Sequence, residues 1–365
     1  MKIKKLQLEN FRNYSKHSYE FDEDKEITIL LGPNGQGKTN FLEALYTLSL
    51  GKSFRTSLPE DLINWDNEYL RCNCEVDLED DEMDLEVFYS KNPRKKNFKR
   101  NGVNLKNSDY LGNLLTVLFH PEDLNMLYLS PSLRRKYLDI ILSQTDRLYL
   151  KNLSQFKKVL KQRNALLQSI REAKFSNMNI DNLLADLEVW DIELVKFANY
   201  ILEKRKEFIR YLNLKIEDFY TEIADEESKI EINYESKTNN TAYNELIKLR
   251  QADDIRRAET STGPHRDDIK FFINGKDISK SASRGEYRTL LLAIKLIEIQ
   301  YIKDKTGSNP ILLLDDVFSE LDRKRQGHLL KAIKGCQAII TSNDLDLLSE
   351  FSSLKNSIKI IEKTN

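Results

Sequence analysis

The sequence predicts an α/β fold with mixed sheets that is split by an α-helical insertion. Strand-like and helix-like patterns alternate in residues 1–122 and again in residues 259–365. Between them, residues 123–258 are rich in leucine and charge, and their apolar side chains recur at three-to-four-residue spacing. We therefore expect one α/β domain made of an N-terminal and a C-terminal lobe, with a helical domain inserted between them.

The first lobe is expected to begin with β-strands. Residues 2–8 and 69–90 alternate apolar and polar side chains, as strands with one buried face do. Residues 27–31 (ITILL) are aliphatic and β-branched, which is typical of a buried strand. The apolar residues that follow at helical spacing are Phe41, Leu42, Leu45 and Leu48.

Residues 32–39 (GPNGQGKT) fit the pattern G-x-x-x-x-G-K-[ST] between that strand and that helix. Glycines let backbone N–H groups approach a phosphate, Lys38 can contact the β- and γ-phosphates, and the Thr39 hydroxyl can bind Mg²⁺. The alternative is an ordinary glycine-rich turn, but the strand–turn–helix setting favours nucleotide binding. The predicted nucleotide contacts are Gly32, Pro33, Asn34, Gly35, Gln36, Gly37, Lys38, Thr39 and Asn40.

The inserted domain is expected to contain several antiparallel helices between residue 131 and about 225. Its apolar face is wider than a strict heptad pattern, and it is too short for a long coiled coil. The second lobe returns to alternating patterns: a strand at 269–273, a helix at 286–302, and buried strands at 310–314 and 338–341.

Two adjacent carboxylates follow the aliphatic run that ends at Leu314. A P-loop ATPase needs one carboxylate to hold Mg²⁺, and a hydrolase needs a group that orients the attacking water. We assign these roles to Asp315 and Asp316 respectively, and Lys38 with Asp316 are the predicted catalytic residues. A plain turn is the alternative, and the aliphatic strand before the pair argues against it.

The residues Ser283, Arg284, Gly285 and Glu286 directly precede the apolar helix of the second lobe. A serine and a glycine at a helix start can offer a hydroxyl and N–H groups to a γ-phosphate. The same residues match a simple capping box, which is the alternative. Their position upstream of the paired aspartates favours the phosphate-binding role.

Composition limits the function classes. The net charge is −1, so a nucleic-acid site has to be a local basic patch. Three cysteines cannot form a disulfide framework, and we find neither a signal peptide nor an apolar run of about 20 residues. We expect a cytoplasmic protein that does not contact membranes. The candidate DNA contacts, for which a solvated charged surface is the alternative, are Arg94, Lys95, Lys96, Lys99, Arg100, Arg134 and Arg135.

The motifs together resemble ABC-type ATPases of the SMC kind, and among them the RecF family. The matching stretches are LENFRNY (8–14), GPNGQGKTNFLEALYTLSLGKSFR (32–55), FHPEDL (119–124), RRKYLD (134–139), TGPHRDD (262–268) and LDDVFSELD (314–322). The signature departs from the usual S-x-G-Q, because Glu286 and Tyr287 stand where glutamines are common. A transporter subunit would have a shorter helical insert and a switch histidine, and a GTPase would carry N-K-x-D.

The resemblance implies an ABC-type P-loop ATPase head that binds ATP and Mg²⁺, with Arg12 at the nucleotide and Ser319 and Asp322 in the D-loop. It implies that the Ser283 signature of one copy closes on ATP held by another, so that ATP drives homodimerisation and slow, DNA-stimulated hydrolysis reverses it. It implies binding to double-stranded DNA and ss/ds junctions at gaps, with RecR as a partner and RecO and RecA acting indirectly in RecA loading. The alternative is an ATPase switch that acts on protein partners without binding DNA.

Overall fold

The computed structural model describes residues 1–78, 81–238, 241–343 and 358–362. The strands within these ranges are β1 (Lys2–Phe11), β2 (Tyr14–Glu20), β3 (Ile27–Leu31), β4 (Tyr69–Asp77), β5 (Glu82–Ser90), β6 (Lys95–Arg100), β7 (Val103–Leu105), β8 (Thr116–Phe119), β9 (Ile230–Glu235), β10 (Asp268–Ile273), β11 (Lys276–Asp277), β12 (Ile311–Asp315), β13 (Ala338–Ser342) and β14 (Ile358–Glu362). The helices are α1 (Lys38–Leu50), α2 (Asn107–Tyr110), α3 (Asn125–Tyr128), α4 (Pro131–Thr145), α5 (Arg147–Phe175), α6 (Asp181–Asn213), α7 (Ile216–Ala224), α8 (Tyr243–Arg257), α9 (Ile278–Ser281), α10 (Arg284–Thr306), α11 (Val317–Glu320) and α12 (Arg323–Ala332).

The chain forms two compact units, and the predicted mixed α/β class is confirmed. The first unit contains Met1–Leu124, Phe219–Glu226 and Arg284–Asn365, and the second contains Asn125–Asp218 and Glu227–Ser283. These boundaries differ from the predicted insertion of 123–258. The second unit runs on past residue 259 because β10 pairs antiparallel with β9, with Ile269 opposite Tyr234 and Ile273 opposite Ile230.

A five-stranded parallel sheet in the first unit has the order β14-β3-β13-β12-β8. Every residue of β3, β12 and β13 is buried, as expected for central parallel strands covered on both faces. In such a sheet the carboxyl ends of the strands meet at one edge, where ligands usually bind. The segments after β3, β8, β12 and β13 are therefore brought together.

A six-stranded antiparallel sheet also belongs to this unit, in the order β2-β1-β4-β5-β6-β7. Helix α1 contacts β4 and β5 of this sheet and β8, β12 and β13 of the parallel sheet, so it is buried along almost its whole length. The helix ends at Gly51, whose positive φ of 62° suits glycine. Tyr89 of β5 donates a hydrogen bond of 2.6 Å to the Gly51 carbonyl and fixes this end.

The second unit is largely helical, as predicted, and the long helices α5 and α6 pack side by side. Leu167, Ile170, Leu187 and Ile255 form an apolar cluster between α5, α6 and α8. No helix in the described ranges of the chain combines the length and the apolar character needed to cross a bilayer.

Candidate nucleotide-binding site

The predicted phosphate loop leads from β3 into α1, and two of its glycines have a backbone that other residues rarely adopt. Gly35 and Gly37 have φ values of 85° and 83°. A Cβ on Gly37 would lie 2.5 Å from the side-chain oxygen and nitrogen of Asn13, so that position requires glycine for space as well. The loop therefore has the backbone that an anion cradle needs.

Lys38 begins α1 and turns its side chain back over the loop. Its ammonium donates hydrogen bonds of 2.5 Å to the Gly32 carbonyl and 2.8 Å to the Pro33 carbonyl. Burial lowers the pKa of Lys38, and the negative charges of Asp316 and Asp315 oppose that shift. The Lys38 ammonium is thus held against the loop by two neutral carbonyl groups, and a bound phosphate can replace them as its partner.

Thr39 and Asp315 come together as the sequence predicts. The Thr39 hydroxyl donates a hydrogen bond of 2.9 Å to Asp315 Oδ1, although 276 positions separate the two residues. A hydroxyl beside a carboxylate is the sparse protein donor set that Mg²⁺ uses when phosphates and water supply its other ligands. These two residues fit the predicted metal site.

Asp316 follows the end of β12 in a left-handed conformation, with φ of 50°. Its N–H donates a hydrogen bond of 3.0 Å to the Thr341 hydroxyl, which in turn donates one of 2.8 Å to Asp315 Oδ1. Burial, together with the nearby Asp315, raises the pKa of Asp316. Among the described residues its buried Oδ1 meets no hydrogen-bond donor. A carboxylate of raised pKa with a free acceptor atom suits a group that receives a proton from water.

His120 reaches Asp315 from the end of β8. Its Nε2 lies 3.5 Å from Asp315 Oδ2, and its Nδ1 accepts a hydrogen bond of 3.2 Å from the Glu122 N–H. Since Nδ1 is the acceptor, the proton of a neutral ring is on Nε2 and faces the carboxylate. The ring of Phe54 packs against His120 at 5.1 Å between centroids.

Arg12 lies in the turn between β1 and β2. Its guanidinium forms a bidentate pair with Glu43 of α1, with hydrogen bonds of 2.9 and 2.8 Å, and the Glu43 side chain is 0% exposed. The next residues touch the phosphate loop, since Tyr14 donates a hydrogen bond of 2.9 Å to the Gly37 carbonyl. Asn40 donates one of 2.9 Å to Asn13. Arg12 thus anchors the turn that supports the loop.

Of the signature residues, Ser283 directly precedes α10, and Arg284, Gly285 and Glu286 are its first three residues. Ser283 and Arg284 are exposed, while Gly285 and Glu286 are half-buried. The Gly285 carbonyl accepts a hydrogen bond of 3.2 Å from Arg325.

The Arg325 side chain also pairs with Asp322. Asp322 caps α12, because its carboxylate accepts a hydrogen bond of 2.9 Å from the backbone N–H of Arg325. Ser319, in the same D-loop, donates a hydrogen bond of 2.7 Å to the Asp316 carbonyl. The D-loop therefore joins the start of α10 to the paired aspartates within one unit.

The basic side chains that the sequence predicts as DNA contacts differ in how far they are already paired within the chain. Lys99 pairs with Glu86 at 2.7 Å, and Arg100 donates a hydrogen bond of 3.0 Å to Asn113. Lys96 donates one of 2.5 Å to the Gly51 carbonyl; although the residue as a whole is exposed, its ammonium lies over the Tyr89 and Phe98 rings, and this desolvation lowers its pKa to about 8.

Arg94 is exposed and pairs with Glu60, while Lys95 is exposed at the start of β6. Arg134 is only 7% exposed and forms a bidentate pair with Asp268 at 2.7 and 2.9 Å. Its assignment to DNA is corrected, because a buried ion pair that ties α4 to β10 has no face to offer a phosphate. The neighbouring Arg135 donates a hydrogen bond of 2.8 Å to the Asp267 carbonyl.

Sequence reasoning did not assign roles to several residues around the site, namely Asn13, Glu43, His120 and Thr341. Their signals were position in a motif for Asn13 and His120, and the end of a buried strand for Thr341. Glu43 also lies in a matching stretch (32–55), but a glutamate in a helix is ordinarily exposed, so the sequence does not predict that it is buried against Arg12.

Comparison with known proteins adds to this geometry. The family model described as "RecF/RecN/SMC N terminal domain" matches residues 2–364. The DNA replication and repair protein RecF of Agathobacter rectalis is 39% identical over 347 residues, which cover 95% of this chain and 93% of that protein.

Among solved structures, the recombination mediator protein RecF-ATP in the RecFOR pathway is similar with a TM-score of 0.85 and 36% identity, covering 94% of this chain and 92% of that one. The Smc head domain with an extended coiled coil from Pyrococcus furiosus, at 19% identity, has a TM-score of 0.53 over 99% of this chain and 92% of that one. The latter likeness concerns the fold alone, and it agrees with the predicted ABC-type head.

Proposed function

The chain belongs to the RecF/RecN/SMC N-terminal domain family, and on that premise we propose that it is an ATP-dependent DNA-binding protein of recombinational repair. In this proposal Mg-ATP joins two copies of the chain, the dimer binds double-stranded DNA and ss/ds junctions at gaps, and slow hydrolysis separates the copies. With RecO and RecR it promotes the loading of RecA. The observation that carries the proposal is the convergence of Lys38, Thr39 and Asp315 at one edge of the parallel sheet.

The nucleotide would be held by the backbone of residues 32–40 and by the Lys38 ammonium. Mg²⁺ would be held by Thr39 and, through water, by Asp315, and it would neutralise phosphate charge. Asp316 is the group proposed to receive the proton of the attacking water, since its pKa is raised and its Oδ1 is a free acceptor. Thr341 and His120 keep the two carboxylates in position.

Dimerisation is supported by the signature at the start of α10. Ser283 and Arg284 are exposed, so a second copy can present its nucleotide to them. The D-loop residues Ser319 and Asp322 connect the same helix start to Asp316. When the signature closes on a partner's γ-phosphate, the position of the Asp316 carboxylate in the same chain would therefore change as well.

Light scattering tests the dimer directly. The Asp316→Asn protein with Mg-ATP is expected to have twice its nucleotide-free mass, because ATP binds and persists. Ser283→Arg is expected to remain a monomer that still binds ATP. A single mass for Asp316→Asn at every nucleotide concentration would refute the proposal.

A switch that acts only on proteins is the second candidate, and one observation favours it. Six of the seven predicted DNA contacts already have partners in the chain, namely Arg94, Lys96, Lys99, Arg100, Arg134 and Arg135. A salt-titrated DNA-binding assay with and without ATP separates the two functions. Phosphate contacts give a logarithmic salt slope of about 0.9 per contact on duplex DNA, and a protein-only switch gives no binding.

A further inference from the structure

Trp65 is the most exposed large apolar residue in the described chain, at 95% exposure. Tryptophan is rarely displayed in this way on the surface of a monomer, and it is the residue type most enriched among interface hot spots. Leu58, which precedes the short 3-10 turn Pro59–Leu62, is 54% exposed in the same segment. The described residues of the unit leave Trp65 almost wholly open to solvent and Leu58 about half open.

The turn that carries Trp65 is fixed by its neighbours. Asn64 donates a side-chain hydrogen bond of 2.9 Å to the Arg12 carbonyl and accepts bonds of 3.3 Å from Asp66 N–H and 3.2 Å from the Asn67 side chain. Lys91 donates one of 2.7 Å to the Asn67 carbonyl. A side chain held on a rigid turn loses little backbone freedom when it binds.

The same turn is continuous with the rim of the phosphate loop. The Arg12 carbonyl that Asn64 holds is followed in the chain by Asn13 and Tyr14, which contact Asn40 and Gly37. The face that carries the phosphate loop is the one that a second copy must cover if ATP joins two heads. The segment that leads into Trp65 is thus bonded to the turn that supports the phosphate loop, because Arg12 N–H donates to the Leu62 carbonyl and Asn64 N–H to the Asn10 carbonyl.

Charge around the turn argues against nucleic acid as the occupant. Arg94 is paired with Glu60, Lys91 is bound to a carbonyl, and Asp66 and Glu68 are exposed acids. A base-stacking platform is normally set in a positively charged groove, which this segment lacks. An exposed tryptophan beside exposed acids suits a protein surface better than the phosphates of a nucleic acid.

We infer that Trp65 is an apolar contact of the nucleotide-dependent dimer, so that its occupant is a second copy of this chain. The inference rests on the proposed function. In a two-fold symmetric dimer the contact occurs twice. Removal of one hot-spot side chain raises a dissociation constant by about 30-fold, so the loss at two equivalent sites is larger.

The experiment uses the fact that the chain has two tryptophans, Trp65 and Trp190. In a Trp190→Phe protein all tryptophan emission comes from Trp65. Addition of a non-hydrolysable ATP analogue with Mg²⁺ is expected to shift that emission to shorter wavelength and to reduce acrylamide quenching. Both changes should follow the dimer fraction measured by light scattering on the same samples.

Two variants complete the test. Trp65→Ala is expected to bind ATP as tightly as the parent and to dimerise at least 30-fold more weakly. Leu249→Ala, which truncates an exposed leucine of the second unit, is the matched control and should dimerise normally.

The possible outcomes separate this inference from the proposed function. Dimers that form with unchanged Trp65 emission and full strength in Trp65→Ala overturn the inference and leave the proposed function standing. An emission shift in the Trp190→Phe protein that also carries Ser283→Arg, and is therefore monomeric, overturns it in favour of a local effect of nucleotide. A shift produced by single-stranded DNA without nucleotide overturns it in favour of nucleic acid. If no sample dimerises, the proposed function fails and the inference fails with it.

Discussion

Replacement of Thr341 by valine tests whether one buried hydroxyl organises both catalytic carboxylates. Thr341 is 1% exposed, donates to Asp315 Oδ1 at 2.8 Å and accepts from the Asp316 N–H at 3.0 Å. Valine has nearly the same shape, so the change removes two hydrogen bonds without opening a cavity. The Asp316 N–H then loses its acceptor in a site closed to water.

The size of the effect follows from those two bonds. A hydrogen bond to a charged group contributes about 1.5–3 kcal/mol, and a buried N–H without an acceptor costs about 1–3 kcal/mol. Asp315 and Asp316 must be held in place in the transition state. If the lost hydrogen bond to charged Asp315 destabilises that state by its full value of about 1.5–3 kcal/mol, turnover falls by about one to two decades. ATP binding depends mainly on the phosphate loop and should change less.

The assay is single-turnover ATP hydrolysis with protein in excess, alongside a separate nucleotide-binding titration. Thr341→Ser is the control, because it keeps the hydroxyl and loses only a buried methyl group, at a cost of about 1 kcal/mol in stability. The reasoning is refuted if the valine variant hydrolyses ATP at the parental rate while the serine variant is slower.

Three further predictions concern other parts of the chain. Lys38→Met is expected to weaken ATP binding by about one to two decades and to reduce turnover further, as equilibrium binding and single-turnover rates will show. Lys95→Glu should weaken DNA binding and reduce its logarithmic salt slope by about 0.9, whereas Lys174→Glu on the second unit should leave both unchanged in a salt titration. His265 is held neutral, because burial lowers its pKa from an ordinary 6.5 to about 4. The unfolded chain therefore binds the extra proton between pH 6.5 and 4, so stability is complete above pH 6.5 and falls by up to about 3 kcal/mol as the pH drops to 4. Urea unfolding across this range should show a smaller decline for His265→Gln, and an equal decline would contradict the assignment.

Sequence alone could place the phosphate loop and the paired aspartates, because each follows a short aliphatic strand with a distinctive local pattern. It could not place Thr341, since that depends on strand order. Strand β13 lies between β3 and β12, so the residue at its carboxyl end meets the carboxylates of the next strand. Nothing local in the sequence encodes that neighbourhood.

The basic clusters show a second thing that sequence cannot predict, namely which cations are exposed and which are buried in ion pairs. Arg134 and Lys95 are both cations in short basic runs, and sequence cannot tell them apart. Arg134 is withdrawn from the surface by Asp268, which lies 134 positions later in the chain. The second unit extends past residue 259 for a similar reason, because the partner of β10 is a strand on the other side of α8.

The arrangement of the parallel sheet has a consequence for how the protein is made. Strand β3 lies near the start of the chain, yet both of its neighbours come from the far end, with Ile29 opposite Ile340 on one side and Ile360 on the other. A nascent chain thus carries its glycine-rich turn for most of its synthesis with no flanking strand to hold it. Contacts of such long sequence separation form late and slowly. A product released from the ribosome before β13 is made would keep the phosphate-loop sequence but lack both strands that flank β3.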